Sequence, residues 1–359
     1  MARDANRRMK KRVTLQQLAA AAKVSTATVS RVLSGISTVD PTIRAKVRKA
    51  AEKLGVNPEE RRQSKSRIIA FLLGNRDVLH NFQARVLLGA EGYCSESNWE
   101  MLFMSFRYSP EVPADALHLP QLLSRRTNAQ AVILGGNNSP NLFAALNHRG
   151  IPFAVLGNNV LGQWTPTDCD VVYSDDINGA STATEYLIAQ GHRTIGFIGN
   201  LRLPWYERCF QGYSRAMKAA GLPPLCADLR SDGSQLGYLA AKSLMTNPAR
   251  PTALLAGSDP IATGIYSALR ELGLAVPIDV SVMGFNDTLG SLMSPPLTTT
   301  TEFPEEIGRH MAEFALSRLQ NPALPPRQLT IPTQLTLRES VASVTPVPRP
   351  AEKLSDTRA

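Results

Sequence analysis

From Val13 the apolar positions recur at helical spacing in three short bursts. Thr14-Leu15-Gln16-Gln17 has the form of a capping box, in which the Thr14 hydroxyl accepts from the backbone three residues on and Gln17 reaches back. Leu15, Leu18, Ala19 and Ala22 follow as one apolar face. Lys23-Val24 breaks the pattern, and Ser25 is a good N-cap for a second helix through Leu33. That helix turns Val29, Val32 and Leu33 inward, leaves Thr26, Ala27, Ser30 and Arg31 outward, and stops at Gly35. A third helix opens on Asp40 with Pro41 at its first position, carries Ile43, Val47, Ala50 and Leu54, and closes at Gly55.

Past Arg67 the rhythm changes. Apolar runs of strand length at 68–73, 101–106, 131–134, 153–156, 171–173, 194–198, 253–256 and 280–285 alternate with amphipathic helical stretches at 82–97, 179–190, 210–220, 235–246 and 260–272. Such βαβ alternation predicts an α/β fold with parallel, doubly wound sheets, and eight strands before residue 290 divide better into two lobes than into one sheet. The whole is a three-helix head at 1–56, a linker at 57–67 and a two-lobed body at 68–340. A tail at 341–359 is expected to be disordered.

Charge sharpens this division. Residues 1–67 hold 17 Lys+Arg against 5 Asp+Glu, a net of +12; the remainder holds 22 against 25, a net of −3. A basic head on a near-neutral body is the electrostatic footprint of a nucleic-acid binder. Charge alone is also compatible with a basic tail on an enzyme, and helices alone with a protein-interaction module. Neither explains both the +12 and the pattern. Three short helices with a tight turn between the first two make a helix-turn-helix unit, whose second helix enters the major groove by its N-terminal end. Small polar residues at that end suit the groove. The composition is otherwise that of a soluble protein, with no apolar run of membrane-spanning length and no apolar stretch after MARDANRRMKKR, so a cytoplasmic protein without membrane partners is expected. Cys94, Cys169, Cys209 and Cys226 make no CxxC and are expected to be reduced thiols.

The stretch VTLQQLAAAAKVSTATVSRVLSG, followed by VDPTIRAKVRKAAEKLG, resembles the head of the lactose/galactose repressor family. The resemblance implies that Thr14, Leu15 and Gln16 touch DNA, and that Ser25, Thr26, Ala27, Ser30 and Arg31 lie on the recognition helix, with Ser34, Thr38, Arg61 and Arg62 completing the DNA-binding set. Thr26 and Ala27 fall on the pair that sets sequence preference; Ala27 offers only an apolar contact, such as to a thymine methyl. VVYSDDINGASTATEYLIAQGHRTIGFIG, GSDPIATGIYSALRELGLAVPIDVSVMGFND and SPPLTTT extend the resemblance over the body. It implies a core of periplasmic-binding-protein type, with lobe one at about 68–170 and 303–327 and lobe two at about 171–300 and 329–338. The chain would cross between lobes three times, and a small-molecule effector, sugar-like by the resemblance, would sit between them. A homodimer on two operator half-sites, acting as a repressor, is the expected assembly.

The cleft positions depart from the family pattern. Gly212-Tyr213 puts Cys209 where the family has an arginine, with Arg208 one residue early; Ser258 stands where Asn is usual, before a retained Asp259. Asn286 replaces a frequent Asp, and Gly157 a polar residue, with Asn158 beside it. Asn158, Arg208, Ser258, Asp259 and Asn286 are nonetheless the candidate effector contacts. The linker departs too: residues 59–67 hold no apolar side chain, where the family carries a longer segment with a leucine that wedges into the minor groove.

Enzymatic chemistry is not called for. Gly135-Gly136-Asn137-Asn138 is not a nucleotide fingerprint, His192 precedes a buried strand as a turn residue, Asp175-Asp176 has no His or Cys partner nearby, and no GxSxG occurs. The sequence therefore predicts no cofactor, no metal and no catalysis. The rival to a repressor is a non-catalytic small-molecule sensor with weak or atypical DNA binding.

Overall fold

The computed structural model describes residues 13–33, 39–54, 67–124, 129–167 and 169–344. They form two compact units, a head and a body, each described by itself.

The head is α1 (Leu15–Ala22), α2 (Thr26–Leu33) and α3 (Pro41–Lys53). Both halves of the expected capping box form: Gln17 N donates to Thr14 Oγ1 at 3.2 Å and Thr14 N donates to Gln17 Oε1 at 2.9 Å. Lys23 ends α1 in the left-handed region, φ 54°, which folds the chain straight into Ser25, the cap that accepts from Thr28 N. Leu18, Val29 and Val47 are wholly buried at the centre, joined by Ala51. Leu15, expected on the apolar face, is instead 40% exposed at the first position of α1.

The body holds two six-stranded sheets. The first, in the order β11-β5-β4-β3-β1-β2, is parallel throughout. Its strands are β1 (Ile68–Gly74), β2 (Glu100–Phe106), β3 (Ala131–Gly136), β4 (Phe153–Leu156), β5 (Asp170–Ser174) and β11 (Gln328–Ile331). The second, β12-β10-β9-β8-β6-β7, comprises β6 (Ile195–Gly199), β7 (Leu225–Asp228), β8 (Ala253–Ala256), β9 (Ser281–Phe285), β10 (Thr298–Thr301) and β12 (Gln334–Thr336), with only β12 antiparallel to its neighbour. Near-continuous burial along β1, β3, β8 and β9 is what a parallel strand covered on both faces requires.

Helices α4 (Asn81–Glu96), α5 (Gln121–Ser124), α6 (Pro140–His148) and α11 (Pro304–Gln320) belong to lobe one; α7 (Asp176–Ala189), α8 (Pro204–Ala219), α9 (Gly233–Met245) and α10 (Asp259–Glu271) belong to lobe two. Glycines let α9 and α10 approach closely: a Cβ at Gly237 of α9 would overlap Ile261 O, and one at Gly264 of α10 would overlap Ser234 O.

Two lobe boundaries are corrected. Residues 171–174, placed by sequence in lobe two, pair with β4 and β11 in lobe one. The single last strand expected near 329–338 is two strands, β11 in lobe one and β12 in lobe two. The chain does cross three times, at Asp175, at Glu302–Phe303 and at 332–333.

Candidate DNA-reading head and effector cleft

In the head, Ser25, Thr26, Ala27 and Arg31 are exposed and Ser30 is half-buried along the start of α2, with Gln16 and Leu15 exposed on α1. The inward residues of both helices fix that orientation, since Leu18 and Val29 must be buried together. Lys46, Arg48, Lys49 and Lys53 of α3 are also exposed. Ser34, Thr38, Arg61 and Arg62 lie outside the described residues, as does the linker where the family's wedge would sit.

In the body, a cavity of about 620 Å³ opens between the lobes, walled by residues that follow the carboxyl ends of strands in both sheets. Arg76, His80, Phe82, Gln83, Asn158 and Asn159 come from lobe one, and Trp205, Tyr206, Asp232, Ser258, Asn286 and Glu302 are among those beyond it. Three of the five candidates thus line the cavity: Asn158, Ser258 and Asn286.

The loop after β9 presents Asn286. Both Asn286 and Asp287 take left-handed backbone, φ 83° and 51°, which Asn and Asp tolerate better than other side chains. Asp287 is held by Arg338 at 2.8 Å and by the Thr301 hydroxyl at 3.0 Å. Asp259 is not a lining residue. It is fully buried behind the wall, accepting from Leu289 N at 3.0 Å and from Thr299 Oγ1 at 2.8 Å, and so pins the same loop. Burial pushes its carboxyl up to about 6.

Arg208 is not a lining residue either. Its Nε donates to both oxygens of Asp176, at 2.8 and 3.0 Å, and its Nη2 lies 2.8 Å from Asp176 Oδ1. Asp176, at the start of α7, also accepts from Asn158 Nδ2 at 2.7 Å, and Asn158 exchanges two further bonds with Ser174. Burial holds the Asp176 carboxyl above its ordinary value even with Arg208 beside it. The Arg208 guanidinium also faces the Tyr173 ring at 5.5 Å, and that ring fills the space a side chain at Gly157 would need.

Several wall residues are not among the sequence candidates. Arg76 lies 4.8 Å over the Trp205 ring, lobe to lobe across the cavity, and donates from Nε to Asn137 Oδ1. Tyr206 donates to Asp232 Oδ1 at 2.6 Å, with Ser258 Oγ 3.2 Å away. Gln83 Oε1 and Asn159 Nδ2 are buried with no hydrogen-bond partner among the described residues. The usable signal was position, since each follows a strand's end or begins a helix.

His192, expected as a turn residue, is buried between Thr252 Oγ1 at 2.8 Å and Ser281 Oγ at 3.1 Å, and burial holds its imidazole below the ordinary value. Among the described residues no group of three or more His, Cys, Asp or Glu is placed to hold a metal, and no helix is long and apolar enough to cross a membrane.

Comparison with known proteins agrees with both parts. The family model for bacterial regulatory proteins of the lacI family matches residues 14–59, and that for a periplasmic binding protein-like domain matches 184–341. The chain is 31% identical over 341 residues to the ribose operon repressor of Haemophilus influenzae, covering 92% of this chain and 99% of that protein. It is 28% identical to the ribose operon repressor of Escherichia coli K12, covering 91% and 99%. A solved complex of the transcriptional regulator CelR with cellobiose matches with a TM-score of 0.67 and 28% identity, over 92% of this chain and 100% of that one. The chain belongs to the lacI family of bacterial regulatory proteins, and is a DNA-binding transcriptional repressor whose action is controlled by a small-molecule effector.

Proposed function

We propose that the chain works as a cytoplasmic homodimer without catalytic activity, and that the effector controlling its hold on the operator is a neutral sugar bound between the lobes. The observation that carries the sugar assignment is a cavity wall rich in uncharged hydrogen-bonding side chains, Gln83, Asn158, Asn159, Ser258 and Asn286. Amides and hydroxyls both donate and accept, and so does a sugar hydroxyl, so a polyol matches this wall without needing a charged partner.

The surroundings fit. Phe82, Trp205 and Phe285 offer aromatic surface, and about 620 Å³ is within the usual size of small-molecule sites. Both guanidinium groups at the cavity have a carboxylate to face, Arg208 paired with Asp176 and Arg76 with Asp232 nearby, which favours a ligand without net charge. The names of the relatives, ribose operon repressors and a regulator complexed with cellobiose, point the same way. Asn158, Ser258 and Asn286 then form wall, with Asp259 and Arg208 acting from behind it. For the dimer, exposed Leu88 on α4 and the partly exposed Leu102 and Phe103 on the edge strand β2 supply apolar surface for a second copy.

The test is a gel shift of the full chain on its own upstream DNA, run beside thermal melts, with D-ribose, cellobiose and other neutral sugars. One sugar should both raise the melting temperature and change operator affinity; saturation at a hundred times Kd stabilises by about 2.7 kcal/mol. Specific operator binding indifferent to every sugar would overturn the effector assignment. A sugar-dependent melt without specific DNA binding would make the chain a sensor instead.

A further inference from the structure

Glu302 lies where the chain crosses from β10 back to α11, and it is 8% exposed while lining the cavity. Around it stand Asp176 at the first crossing, Arg208 and Cys209 of α8, and Asp259 of α10. Asp176 and Glu302 thus share one guanidinium, with the Asp259 carboxyl nearby. Arg208 directs Nε and Nη2 at Asp176, which takes a further bond from Asn158. Asp259 is served by Leu289 N and the Thr299 hydroxyl. Glu302 has the Ser174 hydroxyl and a share of Arg208, yet burial beside two other carboxyls still favours its neutral form, and a carboxyl kept neutral has an O–H to give.

We propose that Glu302 meets the effector as a carboxylic acid, donating a hydrogen bond to a ligand oxygen where the chain crosses between lobes, and that effector affinity is therefore linked to proton binding. The inference rests on the sugar assignment above. Burial, reinforced by Asp176 and Asp259 and opposed by a hydrogen bond from the Ser174 side chain and by Arg208, pushes the Glu302 carboxyl up to about 8. The acid form dominates below that value and is lost as pH rises through it. A ligand that binds only the acid form is held at full strength near pH 6.5 and about tenfold more weakly at pH 9. A deprotonated Glu302 would place a further negative charge beside Asp176, which works in the same direction.

Isothermal titration calorimetry of the full chain with D-ribose from pH 6.5 to 9, with circular dichroism confirming the fold at each pH, tests this. The panel extends to cellobiose and other neutral sugars if ribose does not bind. The wild type should lose about tenfold in affinity over that range, and Glu302→Gln, which keeps a donor but cannot titrate, should show a flat profile. Buffers of different ionisation enthalpy should show uptake of close to one proton per ligand at pH 9 in the wild type, a readout that stands even if the variant does not fold. A flat wild-type profile, or the same fall in Glu302→Gln, overturns the proposal while leaving the sugar assignment in place. If no neutral sugar binds at any pH, the sugar assignment fails and this inference fails with it. Tighter binding of ribose 5-phosphate than of ribose would overturn both.

Discussion

Replacing Arg208 by alanine removes the guanidinium that compensates Asp176, a carboxylate only 2% exposed. Breaking a buried ion pair from one side costs about 3–5 kcal/mol, because the surviving charge is left in a poorly solvated place. Two details put the expected loss at the bottom of that range, about 3 kcal/mol. The Arg208 side chain is 28% exposed, so water reaches part of the space it leaves, and the Asn158 amide still donates to Asp176. For a body of this size the corresponding fall in melting temperature is about 6–12 °C. The pH dependence has a definite sign. Burial already raises the folded-state pKa of Asp176, and losing Arg208 raises it further, so the folded variant binds this proton more tightly than the unfolded chain. The penalty is therefore largest when pH lies above the raised value and shrinks as pH falls through it. Denaturation of wild type, Arg208→Ala, Asp176→Asn and the double variant at pH 7.5 and pH 5 reads all of this. The cycle should show coupling, and the Arg208→Ala deficit should be smaller at pH 5. Additivity within about 0.5 kcal/mol, or a deficit independent of pH, would refute the reasoning.

Other outcomes follow from the same geometry. Arg31→Ala should weaken operator binding by about 1–3 kcal/mol if this exposed side chain reads a base, and an unchanged gel shift at moderate salt would remove it from the interface. Exchanging Thr26 and Ala27 for other residues should change the operator recovered in a binding-site selection; recovery of the same site would place the readout elsewhere. Asn286→Ala should reduce the effector-induced change in operator affinity, and a normal response would move the pocket. Gly264→Ala should lower stability by about 1–3 kcal/mol in a denaturant melt, since the added methyl meets the α9 backbone rather than a side chain that could swing away. Neutralising Arg61 and Arg62 together should flatten the salt dependence of DNA binding by about one unit of slope for each phosphate they neutralise, and an unchanged slope would exclude them.

The head was the most legible region, because every signal it uses is local. A cap, a turn and a period of 3.6 residues all lie within a dozen positions. Most core strands were legible for a related reason, since strands buried on both faces read as continuous apolar runs. The misses share a physical cause. β7 is a short edge strand, only half-buried, so no apolar run marks it. β10 is four threonines, polar in sequence yet largely buried, with the hydroxyls of Thr298, Thr299 and Thr301 answered by the Arg338 backbone, Asp259 and Asp287. β5 was given to the wrong lobe because its hydrophobicity says that it is buried but not against which sheet. Asn158, Ser258 and Asn286, which line the cavity, were reached through the family resemblance, at or beside positions where this sequence departs from the usual residue. Glu302 was not, because its surroundings come from α7, α8 and α10, segments that only the folded chain brings together.

The path of the chain through its last crossings has a consequence for how the protein is made. Lobe one begins at β1, but its core includes Ile307, Met311, Ala312 and Ala315 of α11, and its sheet ends on β11. Lobe two ends on β12. A nascent chain that has emerged only as far as residue 301 therefore holds ten of the twelve strands found among the described residues, and neither finished lobe. β5 and β10 would present open edges, and the α4 side of the first sheet would lack its covering helix. Ordinary tandem domains fold one after another as they leave the ribosome, each sheltering its own surface before the next appears. Here the lobe that is started first waits for α11 and β11, so neither lobe closes until the segments after residue 301 have emerged. Unpaired strand edges favour association with other chains. Ribosomes that stall or terminate between β10 and β12 would thus release a chain more prone to aggregate than one cut far earlier, after the head alone.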